Sequence, residues 1–85
     1  MAEEKLIGEV SHFFGNISVA IIKLSDELRV GDMIRIRGAN SDIEQAVDSL
    51  QIDHENVESG NTGQEVGLKV EDKVRVGDEV YKITD

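Results

Sequence analysis

The sequence predicts an all-β fold, and three observations support that class. Short runs rich in valine and isoleucine recur along the chain, and such runs are typical of β-strands. Eight glycines and no proline occur among the 85 residues, so glycine-containing turns are expected to separate the runs. In the clearest run, Ile34 and Ile36 alternate with Arg35 and Arg37, which places one face toward a core and the other toward solvent.

Five runs are predicted to be strands. Residues 6–14 and 17–24 flank Gly15-Asn16, a two-residue turn signal. The second run is apolar on both faces near its middle, which indicates a strand covered on both sides or placed at a barrel corner. The other three runs lie at residues 33–37, 65–70 and 79–83.

Residues 41–53 support two interpretations. Ser41-Asp42-Ile43-Glu44 is a capping box, a signature of helix starts, and Val47 and Leu50 continue at helical spacing from Ile43. Alternatively, residues 45–53 form a strand with a bulge where the inward-facing set changes parity. The strand is preferred because of the family resemblance described below.

A short motif occurs twice. Residues 28–34 and 74–80 share the pattern apolar-Arg-Val-Gly-Asp-x-apolar. Gly31 and Gly77 can adopt the positive φ that a tight turn needs, and the aspartate after each glycine can accept hydrogen bonds from nearby backbone N–H groups. The copies are therefore predicted to form equivalent corners, each leading into a strand, as suits a β-barrel.

Composition limits the class of protein. A chain of 85 residues is long enough for one domain. It has no cysteine, which excludes disulfides and cysteine-ligated metal sites. No apolar run approaches the ~20 residues that span a bilayer, and the polar N-terminus lacks the core of a signal peptide, so a cytoplasmic protein is expected. The net charge of −9 opposes phosphate contacts, so binding of free RNA is expected to be weak.

The sequence shows no catalytic constellation, so neither an enzyme activity nor a cofactor is predicted. A phosphate-binding loop, a cysteine nucleophile and a serine in a nucleophile-elbow setting are all missing. A metal site needs three or four converging ligands. Glu9, His12 and His54 would supply them only if they met; the alternative, that both histidines are ordinary surface residues, is preferred, and no metal is predicted.

Two groups of residues are candidates for contacting a partner. In His12-Phe13-Phe14, neighbouring side chains face opposite ways, so one phenylalanine points outward beside the histidine. If exposed, it would be a binding hot spot or a stacking platform; the preferred interpretation is that a loop covers it. Lys23, Arg35 and Arg37 would form a basic stripe if their strands are neighbours. The preferred interpretation is that the outward arginines form an ordinary solvated face or protect a strand edge from pairing.

The order of the motifs resembles the second domain of elongation factor Tu and related translational GTPases. It also resembles short stand-alone translation elongation factor-like proteins, and the C-terminal barrel of collagenase-like peptidase-family proteins that act in RNA modification. The resemblance implies a closed six-stranded antiparallel Greek-key barrel over residues 6–84, after a disordered tail at 1–5. Its motifs are Gly8-Glu9-Val10, the block at 28–38, Leu50-x-Ile52, Gly63-x-x-Val66-Gly67-Leu68 and the block at 74–80.

By register, the resemblance places Glu9, Val10, Ser11 and His12 on the first strand of the pocket for the aminoacyl end of tRNA, and Gln51 on its central strand. The connection 67–77 is too short for the Arg-Gly loop that completes that pocket, so the fold is expected to carry over and tRNA binding is not.

The resulting hypothesis is a non-catalytic binding module related to translation factor domain 2. It would dock on a protein or ribonucleoprotein partner in translation or RNA modification; the alternative is a pure protein–protein adaptor without nucleic acid contact. The candidate partner-binding residues are Glu9, Ser11, His12, Phe14, Lys23, Arg35, Arg37 and Gln51.

Overall fold

The computed structural model describes residues 3–39 and 42–84, and within them the chain consists of β-strands and turns without a helix. The predicted all-β class is confirmed. The strands are β1 (Glu3–Phe14), β2 (Val19–Leu24), β3 (Leu28–Arg29), β4 (Met33–Arg37), β5 (Asp42–Ala46), β6 (Leu50–Ile52), β7 (Glu55–Val57), β8 (Ser59–Gly60), β9 (Glu65–Lys69) and β10 (Glu79–Thr84).

Eight of these strands form one antiparallel sheet in the order β5-β4-β10-β1-β2-β9-β6-β7, and β3 pairs with β8 separately. Among the described residues no ladder joins β5 to β7, so the sheet has two edges. The predicted closed six-stranded barrel is therefore wrong. Turns divide the chain into more strands than predicted, and the β5 edge is joined to the end of β9 by a side chain rather than by a backbone ladder.

That side chain is Gln45, a polar residue of β5 that is only 7% exposed. Its Nε2 donates to the carbonyl of Lys69 at 2.9 Å, and its Oε1 accepts from the N–H of Glu71 at 3.0 Å. The amide thus satisfies the carbonyl of the last residue of β9 and an N–H group just after that strand. Because a buried amide without partners is costly, Gln45 ties the β5 edge to the far side of the sheet.

The core is almost wholly aliphatic and comes from alternate positions of the strands. Ile34 and Ile36 of β4 and Val66 and Leu68 of β9 are among the side chains with at most 2% exposure. Phe13 packs against this cluster from its edge. Branched aliphatic side chains on facing strands interdigitate at crystal-like density, which is how a chain this short builds a core.

The two copies of the repeated motif form equivalent corners, as predicted. Gly31 and Gly77 have φ of +98° and +95°. In each corner the aspartate after the glycine accepts, at 2.9 Å, a hydrogen bond from the backbone N–H three residues earlier, that of Arg29 or Arg75. The repeat in sequence is therefore a repeat in backbone geometry.

Each corner is also bonded to a neighbouring strand segment in the same way. The N–H of Gly31 donates to the carbonyl of Val47, and the N–H of Val47 donates back to the carbonyl of Asp32, both at 2.8 Å. Val10 makes the same two bonds with the second corner, again at 2.8 Å. Val47 and Val10 are both core residues, so the corners are anchored to the interior.

The strands that leave the corners, β4 and β10, pair with local two-fold symmetry. Arg35 lies opposite Tyr81 at the centre of the pair, and Met33 lies opposite Ile83 at one end. Met33, which follows the first corner, therefore pairs near the end of β10, and Glu79, which follows the second corner, pairs with Arg37 at the end of β4. The repeated motif thus places two adjacent strands of the eight-stranded sheet.

Residues 42–46 and 50–52 are strand, so the preferred strand interpretation holds and the helical alternative is wrong. The strand boundaries differ from the predicted 45–53, because β5 begins at Asp42 and a break at 47–49 separates it from β6. The break allows Val47 to reach the first corner. Ser41 of the capping box lies outside the described residues.

The chain ends of the described region pair with each other, since Glu3 lies opposite Thr84. Residues 3–5, assigned from the sequence to a disordered tail, belong to β1; Met1 and Ala2 lie outside the described residues. Within residues 3–39 and 42–84 no helix is long and apolar enough to cross a membrane.

Replacing Gly31 or Gly77 by alanine is expected to lower the free energy of unfolding by about 1 kcal/mol or more. A Cβ at either position meets open space, so the loss comes from the positive φ. Gly15→Ala is the matched control, because Gly15 has no positive φ and its Cβ would only touch the Phe13 ring at 3.5 Å. Urea unfolding followed by circular dichroism measures all three; equal stabilities would contradict a shared backbone cause.

Replacing Gln45 by methionine is expected to destabilise by about 1–3 kcal/mol, because it leaves the Lys69 carbonyl and the Glu71 N–H without their partner. Gln51→Met, at an exposed position of β6, the next strand along the chain, is the control; its stability should lie within about 0.5 kcal/mol of that of the native protein. A Gln45→Met protein as stable as this control would show that the amide bridge contributes nothing.

Candidate functional site

A register shift in β1 directs the side chains of His12 and Phe14 outward and that of Phe13 inward. Val10 faces the core, so strict alternation would also bury His12 and Phe14. Between Val10 and His12 the pairing of β1 with β2 shifts by one residue, as at a β-bulge. Phe13 consequently packs against the core, while His12 and Phe14 point to solvent.

The outward aromatic is not covered by a loop, so the preferred interpretation of this cluster is wrong. Phe14 is 47% exposed, and its ring stacks with the His12 ring at a centroid distance of 6.4 Å and an interplanar angle of 24°. Ile17, in the turn that follows, is 57% exposed. Phe14 and Ile17, with the His12 ring beside them, form an exposed apolar wall of the kind that marks binding surfaces.

Beside this wall opens a groove of about 400 Å³. Its floor includes Gly67 of β9, which lies between Ile21 of β2 and Gln51 of β6. A Cβ at Gly67 would approach the Ile21 side chain to 3.4 Å, so glycine keeps the floor at backbone level. The groove-lining groups with chemical function are His12, Phe14, Gln51, Asp53, His54 and Glu65.

The far wall is the turn between β6 and β7. Asp53 and His54 have φ of +51° and +66°, the conformation of a type I′ hairpin turn, which normally uses glycine or asparagine. A non-glycine residue in this region is held at a cost by its surroundings. The turn directs the chain around the groove and adds a carboxylate to its lining.

Ser11 does not line the groove but bonds one of the carboxylates that do. Its Oγ lies 3.0 Å from Glu65 Oε2 and 3.2 Å from the carbonyl oxygen of Ile21. The hydroxyl therefore orients the Glu65 carboxylate at the groove rim. Among the described lining residues there are two carboxylates, Asp53 and Glu65, and neither lysine nor arginine, so the groove is acidic.

Of the predicted partner-binding residues, the structure brings Ser11, His12, Phe14 and Gln51 together and separates the other four. Glu9 and Lys23 lie opposite each other on β1 and β2 and line a different depression, with Leu6 and Ser25. The hypothetical metal site of Glu9 with both histidines does not form, and no group of three potential ligands occurs in the described part of the chain.

The conditional basic stripe of Lys23, Arg35 and Arg37 does not form, because β10 and β1 separate β4 from β2. Arg35 instead bonds Glu4 at 2.8 Å and Asp42 at 2.7 Å. Its hydrogen bond lowers the pKa of Asp42 below the usual range, and the two carboxylates raise the pKa of Arg35. These charges clamp β1, β4 and β5 together.

Sequence reasoning missed Ile17, Asp53 and Glu65. Asp53-His54 lies between two short strands at the position of a two-residue turn, and that spacing is the signal that could have located the far wall. Glu65 carries no local signal, because only the pairing of β2 with β9 brings it near Ser11.

No family model matches the chain. Over 76 residues it is 43% identical to the uncharacterized protease MJ0090 of Methanocaldococcus jannaschii, and over 82 residues it is 30% identical to a collagenase of Porphyromonas gingivalis. The matches cover 88% and 94% of this chain but 19% and 23% of those proteins. The chain thus spans about a fifth of the length of the curated relatives it matches.

Solved structures show the same fold. The C-terminal domain of a Geobacillus thermoleovorans U32 peptidase superposes with a TM-score of 0.86 at 16% identity, over 92% of this chain and 91% of that one. The selenomethionine variant of that domain gives a TM-score of 0.85 at 15% identity, over 89% and 96%.

The resemblance to collagenase-like peptidase proteins is confirmed, and the assignment to elongation factor Tu domain 2 is wrong. The hypothesis of a module related to translation factors is therefore wrong as well. The relatives are named protease and collagenase, and the structural neighbours are U32 peptidase domains. The motifs that carried the assignment are glycine corners and close strand contacts. Such features report a backbone geometry that unrelated β-domains share.

Replacing Arg35 by glutamine is expected to raise the pKa of Asp42 toward its ordinary value, because the hydrogen bond that favours the carboxylate is lost. In the native protein this depressed pKa contributes stability that is present at neutral pH and is lost as the pH falls through the acidic range. Carboxyl NMR titration of both proteins measures the shift, with Arg75→Gln as the control. An unchanged Asp42 titration would contradict the clamp.

Proposed function

We propose that this chain is a polypeptide-binding domain that serves a peptidase of the U32 type by holding an extended segment of substrate in the groove beside Phe14. The observation that carries the proposal is the exposed wall of Phe14 and Ile17, in a chain whose relatives are named for cleaving proteins. Peptide-bond cleavage is assigned to other parts of such a peptidase.

The form of the groove suits an extended chain. Its volume lies in the range of about 300–1,000 Å³ common for ligand sites, and its floor at Gly67 is open to close backbone approach. Apolar side chains of the wall can receive alternate side chains of a strand-like segment. The exposed amide of Gln51 offers a donor and an acceptor to its backbone.

A binding role is favoured over catalysis by the state of the reactive side chains. Ser11 Oγ is bonded to the Glu65 carboxylate and a backbone carbonyl rather than to a histidine. The His12 ring contacts an aromatic ring. Within residues 3–39 and 42–84, no hydrogen bond links a histidine to a hydroxyl group, which is the arrangement that activates a serine nucleophile.

A polypeptide is favoured over RNA as the ligand because of charge. Asp53 and Glu65 line the groove, and the net charge of the chain is −9. Phosphate groups approaching this face would be repelled, and few cations are placed to neutralise them. Weak binding of free RNA therefore remains part of the proposal.

Replacing Phe14 by alanine is expected to weaken binding of fluorescein-labelled gelatin about tenfold, because truncation of an exposed aromatic anchor typically costs more than 1 kcal/mol. Fluorescence anisotropy measures the affinity. Val76→Ala is the matched control, since Val76 is 67% exposed at the second corner and away from the groove; its affinity should equal that of the native protein.

Three outcomes would overturn the proposal. They are equal affinities of the Phe14→Ala and Val76→Ala proteins, binding of an RNA hairpin tighter than that of gelatin at physiological salt, and cleavage of gelatin by the chain alone. Thermal melts of both variants identify a binding loss that is caused by unfolding.

A further inference from the structure

We propose that the groove selects polypeptide segments that carry an arginine, and that the guanidinium stacks on the Phe14 ring while it bonds to Asp53 and Glu65. This inference rests on the proposed function and names the side chain that the groove recognises. It follows from three observations: the exposed ring, the charge of the lining and an equivalent arrangement elsewhere in the molecule.

The Phe14 ring of the apolar wall presents a flat surface to a cation. The Phe14 ring stacks with the His12 ring at a centroid distance of 6.4 Å and is still about half exposed, so part of it forms a ledge that is open to solvent. A planar guanidinium lies flat on such a ledge and is attracted by the ring quadrupole. The compact ammonium of lysine gains less from stacking, because it has no planar face.

The charges of the groove complement that cation. Asp53 in the β6–β7 turn and Glu65 at the start of β9 both line it, and the described lining contains no lysine or arginine. Ser11 holds Oε2 of Glu65, which leaves Oε1 without a hydrogen bond from the described residues. Five N–H donors let one guanidinium bond carboxylates while stacked.

The same combination already occurs within the chain. The guanidinium of Arg37 lies 5.5 Å above the Tyr81 ring and 3.4 Å from the Glu4 carboxylate. An aromatic ring on one strand and a carboxylate on a nearby strand thus hold an arginine on this sheet. At the groove the ring and the carboxylates are in place, and the arginine would come from the bound polypeptide.

The test uses three labelled peptides, Gly-Ala-Val-Xaa-Val-Ala-Gly, in which Xaa is arginine, lysine or the neutral isostere citrulline. We expect the arginine peptide to bind the full chain about tenfold more tightly than the citrulline peptide and about threefold more tightly than the lysine peptide. Equal affinities for arginine and citrulline would overturn the inference.

Variants of the chain then assign the preference to the groove. Asp53→Asn and Glu65→Gln should each reduce the preference for arginine over citrulline severalfold, whereas Asp48→Asn, which removes the same charge from an exposed position outside the groove, should keep it. Phe14→Leu should abolish the preference for arginine over lysine. An unchanged preference in both carboxylate variants would also overturn the inference.

The failure of this inference is distinguishable from that of the proposed function. If Phe14→Ala weakens all three peptides equally and arginine has no advantage, the groove binds polypeptide without selecting this side chain. If no peptide shows affinity that depends on Phe14, the proposed function fails together with the inference.

Discussion

The hydrogen-bonded corner formed by a glycine and the following aspartate is the constraint on which the rest of the sheet depends. It occurs twice, at Gly31 and Gly77, and each time it bonds a buried valine and directs the chain into an interior strand. These two strands, β4 and β10, then pair symmetrically. Because both corners are anchored to the core, a backbone change at either would displace a strand that has neighbours on both sides.

The groove depends on a second, smaller departure from regular structure. One residue of register shift in β1 decides that Phe13 is packed inside and Phe14 lies outside. The same shift places Ser11 where its hydroxyl reaches Glu65 on the sequence-distant strand β9. Bulges commonly redirect side chains next to functional surfaces. Here one shift exposes Phe14 and also lets Ser11 orient the Glu65 carboxylate at the groove rim.

The sequence was sufficient for features that depend on neighbouring residues. Alternation at Ile34 and Ile36 predicted a strand, and the repeated motif predicted two equivalent corners. The sequence was insufficient for features that depend on contacts between residues far apart in the chain. The capping box before Gln45 favours a helix locally, but the bonds of that side chain to Lys69 and Glu71 hold it in a strand. The open sheet, the partners of Arg35 and the contribution of Glu65 also depend on strand order, which local patterns do not specify.

The pairing of Glu3 with Thr84 has a consequence for synthesis of the chain on the ribosome. Strand β10 lies between β1 and β4, yet it is the last of the ten strands to leave the exit tunnel. Until it arrives, β1 and β4 each expose an unpaired edge, and unpaired edges are templates for association with other chains. Folding of this domain is therefore expected to complete only after translation of β10.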